Sequence, residues 1–152
     1  MATGTKKDTF YSDMLVRFSH CDPAGIVFYP HYFVMFNGLV EDWFNHGLEI
    51  NYADFITERR LGVPIVNLSC DFKIPSKIGE IITLTLNIEH IGNTSLKLAI
   101  HAIYEEETRL AAQLTLVVTT LDNLRAVPIP DDLRARLSDF QQGKLDTPWR
   151  QA

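Results

Sequence analysis

Residues 82–104 read ITLTLNIEHIGNTSLKLAIHAIY, and this stretch decides the fold. Apolar side chains occupy every second position from 82 to 88 and again from 96 to 102. A period of two is typical of β-strands that bury one face. Gly92-Asn93 lies between the two runs and is typical of a tight hairpin turn. The alternation continues over residues 114–118, so the sequence predicts an antiparallel meander of three long strands.

A different period precedes these strands, between residues 29 and 44. Large apolar residues recur there at spacings of three and four, which is the period of an α-helix. Other apolar residues cover much of the remaining helix surface, so we expect burial on most sides. Gly47 is a suitable end because glycine easily takes the left-handed conformation. Shorter helices are predicted for residues 52–60 and 133–140.

One architecture satisfies both patterns: an α+β fold in which a curved antiparallel sheet wraps around one long central helix. The sheet buries one face, and the helix needs burial nearly all round, so each covers the other. A short strand is predicted from Met14 to Phe18. We expect a frayed N-terminus over residues 1–12, a single domain over 13–140 and a loose C-terminal tail over 141–152.

The composition excludes several classes of protein. The chain has 152 residues and a net charge of -5, from 14 basic and 19 acidic side chains. One domain suits this length, and the acidic balance argues against nucleic acid as a partner. No apolar run reaches the roughly 20 residues of a membrane helix, and the start shows no signal-peptide core. Two cysteines, Cys21 and Cys70, make no disulfide framework or metal spacing, which favours a cytoplasmic protein.

The residues that suggest chemistry are concentrated at 22–30, DPAGIVFYP. Asp22 precedes a proline, and Gly25 indicates a tight turn. Pro30 suits the first turn of a helix, where its missing N–H is not needed. The backbone N–H groups about Tyr29 and His31 are therefore expected to be unpaired donors at a helix N-terminus. A carboxylate beside such donors is suited to acyl transfer, which needs a nucleophile or base and an oxyanion donor.

Residues 22–32 resemble the signature of hotdog-fold acyl-CoA thioesterases, in particular the 4-hydroxybenzoyl-CoA thioesterase family of the Pseudomonas type. Weaker likeness continues through residues 62–66, 71–72, 93–96 and 125–130, so that the resemblance covers roughly residues 15–137. It implies the hotdog fold, a five-stranded curved antiparallel sheet around a central helix. It also implies hydrolysis of a CoA thioester, with an aromatic or short-chain acyl group, to a free acid and CoA.

The resemblance assigns roles to individual residues. Asp22 matches the catalytic carboxylate, which either attacks the thioester carbonyl or activates a water molecule, and the N–H of Tyr29 matches the donor that polarises that carbonyl. No metal or cofactor is implied, because CoA enters as part of the substrate. The expected substrate-binding residues are Phe28, Pro30, His31 and Tyr32 near the acyl group, and Asn93, Thr94, Ser95 and Arg125 near the CoA phosphates.

Three features of the sequence depart from the family pattern. Gly92-Asn93-Thr94 stands where the relative has a basic cluster before Ser95, His20 replaces an acidic residue, and Phe28 replaces a tryptophan. The resemblance further implies a homodimer with the active site at its interface, paired into a dimer of dimers. Two alternatives stay open: a hotdog dehydratase or hydratase that uses His31 or His46, and a non-catalytic acyl-CoA-binding module.

Overall fold

The residues with a period of two form the centre of an antiparallel sheet in the computed structural model, which describes residues 6–146 and 149–151. Over these residues the main sheet has five strands in the order β1-β4-β5-β6-β3, and β2 pairs with β7 in a small second sheet. The strands are β1 (Thr9–Leu15), β2 (Leu61–Gly62), β3 (Ile65–Phe72), β4 (Ile81–Ile91), β5 (Ser95–Tyr104), β6 (Glu107–Val117) and β7 (Thr119–Thr120).

The predicted hairpin turn joins β4 and β5. Ile91 is opposite Leu96 on either side of it, and Leu86 is opposite Ile100 further along. This register places the apolar positions of both strands on the same face, where Leu84, Leu86, Leu98 and Ile100 are fully buried. The prediction of a three-stranded meander is confirmed, because β6 pairs with β5 along its length.

The long helix lies against this buried face. The helices are α1 (Tyr29–Asp42), which runs on into a π-helical turn (Trp43–Gly47), then α2 (Tyr52–Thr57) and α3 (Asp131–Gln141). One side of α1 packs into the core through Tyr32, Met35, Phe36, Leu39 and Val40. The opposite side is more exposed than the sequence predicts, since Val34 is 67% exposed and Asn37 and Gly38 face outward.

The long helical segment ends at Gly47, as predicted, but for a different reason. Gly47 does not have a positive φ. A Cβ at this position would lie 2.6 Å from Cδ1 of Trp43 and 3.1 Å from Cδ1 of Phe10. Glycine is therefore needed here because the Trp43 ring of the same turn and the Phe10 ring of β1 leave no room for a side chain, and its left-handed conformation is not used.

Residues 9–12 and residues 149 and 150 make more contacts than the sequence suggests. β1 begins at Thr9, and Phe10 is completely buried opposite Leu86, so residues 9–12 belong to the sheet and are not frayed. At the other end, the Trp149 ring stacks on His46 with 3.7 Å between centroids, and Arg150 lies over the Tyr11 ring. The expected frayed residues 1–5 and the tail residues 147, 148 and 152 lie outside the described residues.

No helix in the described part of the chain is long and apolar enough to cross a membrane.

Candidate active site

Asp22 lies in a tight turn between a 3₁₀ turn (Phe18–His20) and α1. Its Oδ1 accepts a hydrogen bond of 2.8 Å from the N–H of Ala24, and its carbonyl oxygen accepts one of 3.0 Å from the N–H of Gly25. Gly25 has a φ of 78°, which favours glycine. The turn predicted from the Asp-Pro-Ala-Gly sequence is present, and its hydrogen bonds orient the half-buried carboxylate of Asp22.

The helix N-terminus follows seven residues after Asp22. α1 begins at Tyr29 with Pro30 in its first turn, and no side chain caps it. Among the described residues, the N–H of Tyr29 has no acceptor, which agrees with the prediction. The prediction for His31 is wrong, because its N–H donates to the carbonyl oxygen of Phe28 at 2.9 Å. The Tyr29 N–H is thus a free donor that carries the partial positive charge of a 14-residue helix.

Backbone hydrogen bonds close the loop that joins these two groups. The N–H of Asp22 donates to Ile26 at 3.0 Å, the N–H of Phe28 donates to His20 at 2.9 Å, and Cys21 and Val27 form a β-bridge. The carboxylate therefore lies in one small closed hairpin, and the free donor is on the residue directly after it.

A mainly apolar cavity of about 200 Å³ lies beside the start of α1. The Tyr29 ring lies 6.0 Å from the Phe72 ring and 6.2 Å from the Phe33 ring, centroid to centroid. Of the four residues expected near the acyl group, Tyr32 lines this cavity, whereas Phe28, Pro30 and His31 do not. The cavity is lined by Ile26, Val27, Tyr29, Tyr32, Phe72, Lys73, Ile74, Pro75 and Arg109.

A family model described as the thioesterase-like superfamily matches residues 16–137, which include this loop, the helix and the whole meander. The chain belongs to the thioesterase-like superfamily. A 1,4-dihydroxy-2-naphthoyl-CoA hydrolase from Nostoc punctiforme is 33% identical over 87 residues, which are 55% of this chain and 56% of the relative. The chain thus matches little more than half the length of that relative.

Solved structures confirm the hotdog fold of this thioesterase-like chain. A gentisyl-coenzyme A thioesterase superimposes with a TM-score of 0.77 at 24% identity, covering 84% of this chain and 98% of the other. A 1,4-dihydroxy-2-naphthoyl-CoA thioesterase from Synechocystis gives a TM-score of 0.78 at 21% identity, covering 86% and 96% respectively.

Desolvation is the main cause of the pKa shifts of the polar groups around the loop. Burial lowers the pKa of His20, and the nearby His31 and Arg17 lower it further. The Nδ1 of His20 accepts a hydrogen bond of 2.9 Å from the N–H of Arg17, which requires that nitrogen to be unprotonated. Burial also raises the pKa of Tyr32, although Ser76 and Arg109 oppose this shift.

The two cysteines of this thioesterase-like chain are poorly suited to be nucleophiles. Burial raises the pKa of the Cys70 thiol to about 11, with a further contribution from Asp71. The pKa of Cys21 is also raised, by desolvation and then by the charge of Asp22. Since only a thiolate is strongly nucleophilic, both thiols are less reactive than an ordinary cysteine.

Three of the four residues expected near the CoA phosphates, Asn93, Thr94 and Ser95, lie at the β4–β5 hairpin. The carbonyl oxygens of Asn93 and Thr94 each accept a hydrogen bond of 2.9 Å, from the N–H groups of Ile129 and Val118 respectively. The fourth residue, Arg125, is exposed on the segment that follows β7. The two hydrogen bonds hold the hairpin and the segment 118–129 side by side.

Sequence reasoning missed Arg134, which lies at this hairpin. Its Nη2 donates to the carbonyl oxygens of Gly92 at 2.7 Å and Asn93 at 3.1 Å. A guanidinium thus lies beside the turn in which Gly92-Asn93-Thr94 replaces the basic cluster of the family pattern. No local pattern could have shown this, because Arg134 belongs to α3 and is 42 residues from Gly92 in sequence.

The loop and the hairpin are separate within one chain. No hydrogen bond, ion pair or ring contact joins residues 20–32 to residues 92–95 in the part of the chain that the structure describes. In the same part, no group of three or more His, Cys, Asp or Glu side chains could hold a metal ion.

Proposed function

We propose that this protein is an acyl-CoA thioesterase, which hydrolyses a CoA thioester to a free acid and CoA. The observation that carries this proposal is the closed loop of residues 20–28, which orients the Asp22 carboxylate and ends directly before the free N–H of Tyr29. The named activities of the Nostoc and Synechocystis relatives support it, because both act on a CoA thioester.

The two groups have complementary roles in the proposed reaction. The Tyr29 N–H donates to the thioester oxygen and stabilises the negative charge that develops there. The Oδ1 of Asp22 is held by Ala24, and Oδ2 has no hydrogen-bond partner among the described residues. That oxygen either attacks the carbonyl carbon or takes a proton from an attacking water molecule. In both routes water finally supplies the new oxygen of the acid, and the C–S bond breaks to release the CoA thiol.

The size of the cavity favours a small acyl group. Ligand pockets that enclose a whole drug-sized molecule measure roughly 300–1,000 Å³. The cavity beside Tyr29 has about 200 Å³ and carries the aromatic rings of Tyr29, Tyr32 and Phe72 on its walls. We therefore propose that it takes an aromatic or short-chain acyl group, while CoA lies along the surface with its phosphates near Asn93, Thr94, Ser95 and Arg125.

The open surface beside the loop supports a homodimer. Phe72, on the outermost strand β3, is 49% exposed, and the Tyr29 ring beside it is 57% exposed. Val34, on the outer side of α1, is 67% exposed. Large exposed apolar patches and open strand edges are typical of interaction sites. We propose that a second copy covers this surface, so that the loop of one chain and the hairpin of its partner complete one site, and that two dimers pair. The free thiols Cys21 and Cys70 favour a cytoplasmic location.

The proposed function is tested by thiol release from benzoyl-type, phenylacetyl and short straight-chain CoA esters. We expect Asp22→Asn to lower kcat by about 10²–10⁴-fold, because it removes the nucleophile or base but keeps the side-chain size. Asp139→Asn, on α3, is the matched control and keeps wild-type turnover.

Three outcomes would contradict the proposal. Near wild-type turnover of Asp22→Asn overturns the role of Asp22. Hydration of an enoyl-CoA without thiol release indicates the dehydratase alternative, for which His31 is the better placed histidine because His46 is stacked under Trp149. Tight binding of acyl-CoA without turnover indicates a binding module.

A further inference from the structure

Residues 75–80, here called the bracing segment, lie directly behind the catalytic loop. The carbonyl oxygen of Ser76 accepts a hydrogen bond of 2.9 Å from the N–H of Val27, and the N–H of Ile78 donates to the carbonyl oxygen of Gly25 at 2.9 Å. Ile26 and Lys77 form a β-bridge between these two bonds. The position of the loop therefore depends on the position of the bracing segment.

Arg109 on β6 ties down both ends of the bracing segment. Its Nη1 donates to the carbonyl oxygen of Pro75 at 2.9 Å, to Oγ of Ser76 at 3.3 Å and to Oε1 of Glu80 at 3.0 Å. Its Nη2 donates to the second carboxylate oxygen of Glu80 at 3.3 Å. The side chain of Arg109 is only 7% exposed, so these bonds form with little competition from water.

The guanidinium of Arg109 is occupied by the protein itself. Its Nε donates to the carboxylate of Glu107 at 2.9 Å, so all three guanidinium nitrogens have acceptors. The Cζ atom of Arg109 lies 4.7 Å from the centre of the Tyr104 ring. The contact with Arg109 holds the pKa of Glu80 below its usual range, and Glu80 therefore stays charged. Although Arg109 lines the cavity, its guanidinium nitrogens already donate to protein acceptors, so it offers no pair of free N–H groups to an anionic substrate.

Ser76 also lies near the helix that carries the oxyanion donor. Its side chain is completely buried, and it opposes the rise that burial causes in the pKa of Tyr32, in the first turn of α1. One buried serine thus binds the loop through Val27 and the guanidinium of Arg109.

We propose that Arg109 and Ser76 are positioning residues for the hydrolysis, which hold the bracing segment so that the Asp22 carboxylate and the Tyr29 N–H keep their relative position. This inference rests on the proposed thioesterase function. The physical reason is that the rate depends strongly on the relative position of the reacting groups: a displacement of about 1 Å lowers it by about 10²-fold. Arg109 lines the cavity, but its guanidinium binds Pro75, Ser76 and Glu80, so we assign both residues a role in holding the bracing segment and not in the reaction itself.

The test compares two buried serines. Ser76→Ala removes one hydroxyl, and we expect kcat to fall about 10-fold with KM changed by less than about 2-fold. We also expect faster amide hydrogen exchange at Val27, whose N–H is bonded to Ser76. Ser12→Ala is the matched control, because Ser12 is 4% exposed on β1 and has no contact with the bracing segment. It keeps both wild-type values.

A second variant, Arg109→Lys, keeps the positive charge but loses the planar guanidinium that binds several acceptors at once. Arg109→Lys is expected to lower kcat further than Ser76→Ala and to speed amide exchange at both Val27 and Ile78, while thermal unfolding stays cooperative. Wild-type kcat and wild-type exchange in both variants would overturn the inference. If the wild-type protein releases no thiol from any ester, the proposed function fails, and unchanged exchange at Val27 and Ile78 then overturns the bracing independently.

Discussion

Asp22 and His20 show how single side chains shape the loop of residues 20–28. One carboxylate oxygen of Asp22 forms the turn through Ala24, which leaves the other available for chemistry. His20 supports the same loop from the other side, because its carbonyl oxygen accepts the N–H of Phe28 and its ring accepts the N–H of Arg17. The departure from the family pattern at position 20 therefore has a structural role.

The role of His20 predicts a pH dependence of stability. Its pKa is lowered from the ordinary 6.5 by burial, then by His31 and Arg17. As the pH falls below 6.5, the unfolded chain takes up a proton before the folded one does, so folding is destabilised until the pH passes the lowered folded-state pKa. We expect the free energy of unfolding of the wild type in urea to be lower at pH 5.5 than at pH 7.5 for this reason.

His20→Asn is the variant that isolates this effect. The amide oxygen of asparagine can accept the Arg17 N–H but does not titrate. We expect a smaller loss of stability between the two pH values than in the wild type. An equal loss in both proteins would show that His20 does not cause it.

The glycines of the long helix show which contacts of an element are tight and which are open. Gly47 lies where the π-helical turn meets β1, and a Cβ there would lie 2.6 Å from Cδ1 of Trp43. Gly38 lies in the middle of α1 on its exposed side, and a Cβ there would meet no atom within 4 Å.

Alanine substitutions at these glycines are expected to have opposite effects. Gly47→Ala should lower the free energy of unfolding by about 1–3 kcal/mol, because the new methyl group overpacks the core. Gly38→Ala should raise it by about 0.5–1 kcal/mol, because alanine is the better helix former and has room. Urea unfolding of both variants checks this, and a stabilised Gly47→Ala protein would contradict the close approach.

At the scale of the whole molecule, the two outermost strands of the sheet differ in how much of the chain covers them. The C-terminal segment packs beside β1. Arg150 pairs with Asp13 at 3.2 Å, and a Cβ on Gly143 would lie 3.3 Å from Cβ of Lys7, just before the strand. β3 is the other outermost strand, and the exposed side chains of Val66 and Phe72 lie along it. This asymmetry favours association through β3 and the exposed side of α1.

The proposed dimer predicts that a charge on this surface blocks association. Val34→Glu, at a position that is 67% exposed, should lower the molar mass measured by light scattering and reduce thioesterase activity with it. Ala135→Glu, on the exposed side of α3, introduces the same charge elsewhere and should leave the mass unchanged. A wild-type protein that is already monomeric would contradict the shared site.

The local patterns were enough to predict most of the elements. The period of two over residues 82–118 and the period of three to four over 29–44 correctly indicated the meander and α1, because alternation and helical spacing are properties of neighbouring residues. The start of α1 at Tyr29 and the turn at Asp22 were likewise local, since proline and glycine restrict or free the backbone where they stand. β1 was placed too late, because Phe10 and Tyr11 are flanked by polar residues and give no clear period.

The composition of the site beyond the loop was decided by tertiary structure. Arg109 reaches Ser76 across 33 positions in sequence, and Arg134 reaches Gly92 across 42. These pairs exist because β6 lies between β5 and β3 in the sheet and because α3 packs beside the hairpin. The amino-acid order alone determined which elements form and which faces they bury, since those depend on contacts between near neighbours. Which distant side chains support Asp22 and Tyr29 followed only from the register and packing of the folded sheet.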